Sequence, residues 1–114
     1  MSNGAEAGQG PEDVLVALAD RTRREVLAII VREGGATSTS LAASLPVTRQ
    51  AVAKHLAVLE RAGLVRPRRV GREVQYEADL QPLQRTRQWM DTLAAAWEHR
   101  LDALKDLAEG NGPR

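Results

Sequence analysis

Apolar positions repeat at two different periods along the chain, and the change of period locates the elements. Val14, Leu15 and Leu18 recur at helical spacing behind Pro11, a residue suited to a first helical position, and predict a short helix over 11–19. Asp20 stands as N-cap of a second helix running to about Glu33 and stopped by Gly34-Gly35. Its apolar run over 26–31 could serve as a buried strand, but the length of the segment and its capped ends favour a buried helix. Ser38 or Thr39 is placed to cap a third, short helix through Ser44, because Leu45 precedes Pro46 and is pushed out of helical geometry. Thr48 caps a fourth helix over 49–62, closed by Gly63. Two helices separated by the tight Leu45-Pro46-Val47 turn make a helix-turn-helix pattern.

The segments 64–70 and 73–78 flank Gly71-Arg72, the chemistry of a two-residue hairpin turn. Pro67 suits an edge strand, where no ladder hydrogen bond is lost. A lone hairpin is not stable, so Leu64, Val65, Val74 and Tyr76 are expected to pack on the helices. Asp79 then caps a long last helix with Pro82 in its first turn, running to about Ala108. The expected fold is mainly α with a small β-hairpin: five helices and a two-stranded wing. It forms a single domain over 11–109, with a dimerisation helix at 80–108 and disordered tails expected at 1–10 and 110–114.

Composition narrows the chemistry. A length of 114 residues is one small domain, and an apolar fraction of 43% is ordinary for a folded chain. With no Cys, disulfides, thiolate metal sites and thiol nucleophiles are excluded. Phe is absent, so Leu, Val, Ile and Ala must build the core. No apolar run approaches a membrane span, and the polar start MSNGAEAGQG does not resemble a secretion signal, so a cytoplasmic protein is expected. No Gly-rich phosphate loop precedes a helix and no nucleophile–base pair stands out, so an enzyme is not expected.

The net charge of +1 conceals an asymmetry. Residues 1–47 carry four Lys/Arg against six Asp/Glu, and residues 77–114 five against seven. Residues 48–76 carry seven against two, a balance of +5. A cationic block inside an acidic chain marks a polyanion-binding surface, although a solvated basic face would look the same by composition alone.

Local pattern separates these readings. At about 100° per residue, Val52, Leu56 and Leu59 form the buried stripe of the fourth helix, flanked by Ala51, His55 and Ala62. Gln50, Lys54, Ala57 and Arg61 lie opposite, with Arg49 and Ala53 beside them. Alanines let a helix approach a surface closely, while Arg, Lys and Gln can bond to base edges or phosphates. Thr48, Arg49, Gln50, Ala53 and Lys54 are therefore candidate DNA contacts. His55, at the edge of the apolar stripe, suits either a core-flanking role or a phosphate or base contact. Arg66, Arg68, Arg69 and Arg72 crowd the hairpin, an arrangement that self-repulsion disfavours without an anion. Arg68, Arg69 and Arg72 are the candidates for a DNA backbone or minor groove. An acidic protein is the alternative partner.

The motifs LADRTRREVL at 18–27, VTRQAVAKHLAVLERAGLV at 47–65 and RRVGREVQYEAD at 68–79 resemble the winged helix-turn-helix of ArsR-type bacterial transcriptional repressors. With the long helix that follows, the resemblance covers nearly the whole chain. It implies a homodimeric regulator of double-stranded DNA, with recognition helix 49–62 and wing 64–78. The chain departs from the family pattern in three ways. It lacks the cysteines used by members that sense soft metals, and His99, with Asp102 three residues on, is a thin basis for the zinc site of other members. Neither a metal nor a cofactor is expected. Arg21 stands where the family usually has Pro.

Arg21, Arg23 and Arg24 open the second helix, where the dipole disfavours cations; ion pairs to the acidic terminal segments are the expected compensation, with phosphate contact the alternative. On the last helix Leu83, Met90, Trp97 and Leu104 recur every seven residues, widened by Leu93, Ala94, Leu101 and Ala108. Such a repeat keeps one seam against another helix. The expected dimer interface is Val14, Leu15 and Leu18 of the first helix with Leu83, Met90, Leu93, Trp97, Leu101 and Leu104 of the last.

Overall fold

The computed structural model describes residues 10–110; the tail residues 1–9 and 111–114 lie outside it. Among the described residues, the elements run α1 (Pro11–Leu18), α2 (Arg21–Glu33), β1 (Ala36–Thr37), α3 (Ser38–Ser44), α4 (Arg49–Arg61), β2 (Val65–Val70), β3 (Glu73–Ala78) and α5 (Gln81–Ala108).

The ends of the helices follow from their capping residues. Pro11 opens α1 and Glu12 and Asp13 occupy its first turn, where acids complement the helix dipole. The Asp20 side chain accepts a hydrogen bond from the Arg23 N–H at 2.9 Å, capping α2. The helix ends at Gly34, whose φ of 74° is the left-handed conformation that a side chain would strain.

The cap of α3 lies ahead of both sequence candidates. Thr37 is the N-cap, and its side chain and that of Ser40 satisfy each other's backbone N–H at 3.0 Å. Ser at the third helical position completes this reciprocal box in place of the usual Glu or Gln, which the sequence pattern did not flag. Leu45 is extended at φ −126°, ψ 148°, as the following Pro46 demands. At the start of α5, Asp79 does cap, but from one residue outside: its Oδ1 accepts from the Gln81 N–H at 3.0 Å while Leu80 occupies the N-cap position.

The sheet has three strands where the sequence predicts two. β1 pairs antiparallel with β3, Ala36 opposite Tyr76 and Thr37 opposite Gln75, giving the order β1-β3-β2. A two-residue strand has no period to read. Gly34 and Gly35, at φ 74° and 138°, turn the chain back and bring it to the sheet edge.

The core is aliphatic. Val14, Val26, Ile30, Leu41, Val52, Leu56, Leu59, Leu64 and Val65 are fully buried, and each contributes about 1.5–3 kcal/mol by leaving water. Tyr76 packs half-buried against this cluster. Val74, expected to join it, is instead 36% exposed because it sits near the wing tip, beyond the reach of the helices.

Pro82 and Thr86 are the buried residues of α5. From Arg87 to Gly110 every residue is exposed, so most of a helix about 42 Å long has no cover among the described residues. No described helix is long and apolar enough to cross a membrane.

Candidate nucleic-acid interface

The helix-turn-helix sets α4 on the core with one face outward. Thr48 accepts from the Ala51 N–H at 3.0 Å and opens the helix. Val52, Leu56 and Leu59 hold it by its apolar stripe, with Ala51 and His55 half-buried at the flanks. Thr48, Arg49, Gln50, Ala53, Lys54, Ala57 and Arg61 are all exposed on the other side. The face combines long hydrogen-bonding side chains with alanines. Its only acid, Glu60, lies in the last turn, away from the N-terminal half.

His55 is not free on this face. Its Nδ1 accepts a hydrogen bond from Arg23 Nε at 3.4 Å, which ties α4 to the start of α2. Arg23 also lies 3.8 Å from the Asp20 carboxylate. The hydrogen bond from the Arg23 N–H, helped by the nearby guanidinium charge, holds the Asp20 carboxyl below its ordinary value of 3.8. Arg24 donates to the Leu18 carbonyl at 2.8 Å. Arg23 is thus compensated by Asp20, an acid of the 1–47 segment as the sequence suggests, and by His55, while Arg24 turns to a backbone carbonyl.

On the wing, register decides which arginines are available. Val65 pairs with Ala78, Pro67 with Tyr76 and Arg69 with Val74, so these share the face that is buried at the base of the hairpin. Arg66 and Arg68 lie on the opposite face with Glu77 and Gln75. Diagonal neighbours on one face are within reach of long side chains. Accordingly Arg66 pairs with Asp79 at 3.5 Å and Arg68 with Glu77 at 2.9 Å. Arg69 and Arg72 have no ion pair among the described residues. The crowding expected of four arginines is therefore half relieved within the hairpin itself. A two-residue turn sets the register, so the alternation of Arg66 and Arg68 against Glu77 and Asp79 was the signal that could have revealed these pairs.

Ser38 and Thr39, at the start of α3, were not among the sequence candidates. They line a polar cleft of about 230 Å³ with Arg49, Arg72, Glu73 and Val74, between the first turn of α4 and the wing turn. Where α1 meets α5, a second groove of about 440 Å³ is apolar and lined by Val14, Leu15, Leu18, Leu80, Leu83 and Met90. His99 lies exposed on α5, and among the described residues no group of three His, Cys, Asp or Glu is arranged to hold a metal ion. Trp97 lies on the same helix with the Arg100 guanidinium 5.4 Å from its ring centre.

A tri-helical core with α3 and α4 joined by a tight turn, followed by a β-hairpin that extends past the helices, defines a winged helix-turn-helix protein. Residues 18–68 match a helix-turn-helix domain family. The HTH-type transcriptional regulator Rv2034 of Mycobacterium tuberculosis is 34% identical over 104 residues, covering 91% of this chain and 94% of that one. The arsenic resistance transcriptional regulator ArsR1 of Pseudomonas putida is 35% identical over 83 residues, covering 73% of this chain and 62% of that one. Among solved structures, an ArsR-like transcriptional regulator from Rhodococcus sp. RHA1 superposes with a TM-score of 0.77 at 42% identity, over 86% of this chain and 92% of that one. The chain belongs to the ArsR-type family of helix-turn-helix transcriptional regulators. It is a DNA-binding regulator and not an enzyme.

Proposed function

We propose that the chain acts as a homodimeric repressor of an inverted-repeat operator. In this reading α4 enters the major groove, where Gln50 and Lys54 reach base edges and Arg49 and Thr48 reach the backbone. Ala53 permits the close approach. Arg68, Arg69 and Arg72 of the wing contact the backbone or minor groove. His55 contributes from the edge of the helix, its ring oriented by Arg23. The protein is cytoplasmic and bacterial, and sits on the nucleoid when bound.

The observation that carries this reading is the outer face of α4: exposed Arg49, Gln50 and Lys54, with exposed Ala53 and Ala57 beside them. An ordinary surface helix needs no such mixture, whereas a helix that must sit within hydrogen-bond reach of bases does. Two-fold pairing through α1 and α5 would set two copies of α4 roughly 34–36 Å apart, one turn of B-form DNA. Any signal that tilts α5 would change that separation and so the affinity.

The test is a binding titration of the purified protein on the DNA upstream of its own gene against random duplex. Preference for the upstream DNA, lost in Gln50→Ala, supports the reading. Discrimination unchanged by Gln50→Ala removes α4 as the reading element. Absence of any preference at moderate salt would move the basic wing to an acidic protein partner.

A further inference from the structure

We infer that the cleft between α3, α4 and the wing turn binds one phosphate of the DNA backbone, held jointly by Arg49 and Arg72, with Glu73 as a brake on that grip. The inference rests on the DNA-binding reading above and adds a site to it. Three segments distant in sequence build the cleft: Ser38 and Thr39 from α3, Arg49 from α4, and Arg72 and Glu73 from the hairpin.

Chemistry within the cleft fits an anion. The capping box uses Thr37 and Ser40 for backbone N–H groups. The Ser38 and Thr39 hydroxyls make no side-chain hydrogen bond among the described residues, and so remain free to donate. Neither Arg49 nor Arg72 has an ion pair there, although Glu73 lines the same cleft. This contrasts with Arg66 and Arg68 on the same hairpin, which do find acids at 3.5 and 2.9 Å. Two cationic side chains lining one cavity without an ion pair among the described residues repel each other until an anion is placed between them.

Position fits a backbone phosphate. The cleft adjoins the first residue of α4 and the turn of the wing, so a phosphate held there would lie between the two elements that the reading above sets on DNA. Phosphate contacts fix register and orientation and carry no sequence information, so this one would orient α4 before Gln50 reads a base. Glu73 places a negative charge beside the phosphate and keeps the contact weak enough for the protein to leave non-operator DNA.

The experiment measures affinity against salt for the full chain on a duplex of arbitrary sequence. Arg49→Ala and Arg72→Ala should each lower affinity but reduce the log–log salt slope by well under about 0.9, because the remaining guanidinium still neutralises the phosphate, and the double variant should lose about 0.9. Thr39→Val should weaken binding about fivefold with the slope unchanged, since a hydroxyl but no charge is lost. Glu73→Gln should tighten binding. Lys105→Ala, the same charge change at the far end of α5, should leave the slope intact, and Arg49→Lys and Arg72→Lys should retain it. A slope loss of about 0.9 in each single variant that doubles in the double variant, or a double variant whose slope matches that of Lys105→Ala, overturns the shared site. Competition by inorganic phosphate at constant ionic strength would make the cleft a free-anion site and overturn the backbone assignment. Wild-type protein that binds no duplex at all would instead overturn the DNA-binding reading, and this inference with it.

Discussion

Arg23 donates from Nε to His55 Nδ1 at 3.4 Å, so the helix that would read DNA is tied to the first turn of its neighbour by a side-chain hydrogen bond in addition to its apolar stripe. Removing the ring in His55→Ala loses half-buried packing and leaves Arg23 with Asp20 alone. The expected cost is about 1 kcal/mol, or roughly 4–8 °C in melting temperature for a domain of this size. DNA affinity should fall in the same variant. His55→Gln, which can restore an acceptor, should recover most of the stability, and thermal melts with parallel binding titrations would separate the two effects.

Acid sensitivity follows from the other side of the same cluster. The Arg23 N–H holds the Asp20 carboxyl below 3.8, so the native state binds its proton less readily than the unfolded chain does. That contribution to stability is fully present above pH 3.8 and is lost as the pH falls through the depressed native value. Asn caps helices about as well as Asp but does not titrate. Asp20→Asn should therefore keep most of the stability at neutral pH and show a shallower loss on acidification, measured as melting temperature between about pH 5 and pH 2.5. Equal slopes for the two proteins in that window would show that Asp20 does not contribute to acid unfolding.

The division among the wing arginines makes a prediction opposite in sign to the usual loss on mutation. Glu77 lies 2.9 Å from Arg68 and neutralises it. Glu77→Gln should release that guanidinium and tighten binding to any duplex, with the salt slope growing by up to about 0.9. Arg69→Ala, with no acid of its own, should weaken all duplexes alike, and by more than Arg68→Ala. Exposed ion pairs contribute little to folding, so melting temperatures of the wing variants should stay close to that of the parent protein. Equal losses for Arg68→Ala and Arg69→Ala would mean that the pairing with Glu77 does not persist in solution.

Gly34 and Gly35 both take positive φ, but their surroundings differ. A Cβ at Gly34 would meet nothing within 4 Å, so Gly34→Ala costs only its left-handed conformation, about 1–2 kcal/mol. At Gly35 the φ of 138° lies outside the region open to Ala, and a Cβ would come within 3.3 Å of the Gln75 side chain. Gly35→Ala should therefore be the more destabilising, by at least about 1 kcal/mol over Gly34→Ala, in denaturant melts. The loss should be concentrated at the β1–β3 pairing, where amide hydrogen exchange can detect it.

Long periodic segments and their caps made most of the architecture readable before any coordinates. Val52, Leu56 and Leu59 announce which face of α4 is buried, and Thr48 announces where it starts, because both signals are local. β1 was not readable: two residues have no period, and their partner Tyr76 is distant in sequence. The cap of α3 was misplaced by one or two residues because Ser38, Thr39 and Thr37 are chemically equivalent as caps, and only the reciprocal bond with Ser40 distinguishes them. At the candidate interface the exposed side of α4 was legible from its angular pattern alone. The cleft of Ser38, Thr39, Arg49 and Arg72 was not, since it exists only where three segments converge. The tie from Arg23 to His55 escaped for the same reason.

The remaining prediction concerns α5. Met90, Trp97, Leu101 and Leu104 are 48%, 52%, 56% and 55% exposed, and with Leu93 they form one continuous stripe. Leaving so many large apolar side chains in water is costly, and covering them with the same stripe of a second copy removes both surfaces at once. The seven-residue spacing is what two helices need to keep that contact along their length. Leu101→Glu or Trp97→Glu would place a charge in the middle of the seam. Either should convert a dimer to a monomer in sedimentation equilibrium, while Asp102→Ala, on the polar back of the helix, should not. Because two half-sites bound by linked subunits gain by effective concentration, the monomeric variants should lose at least about a hundredfold in affinity for a two-half-site operator. Their affinity for a single half-site should be nearly unchanged, since α4 and the wing are untouched. A parent protein that is monomeric at the concentrations where it binds DNA tightly would remove the two-fold arrangement, and with it the requirement for an inverted repeat.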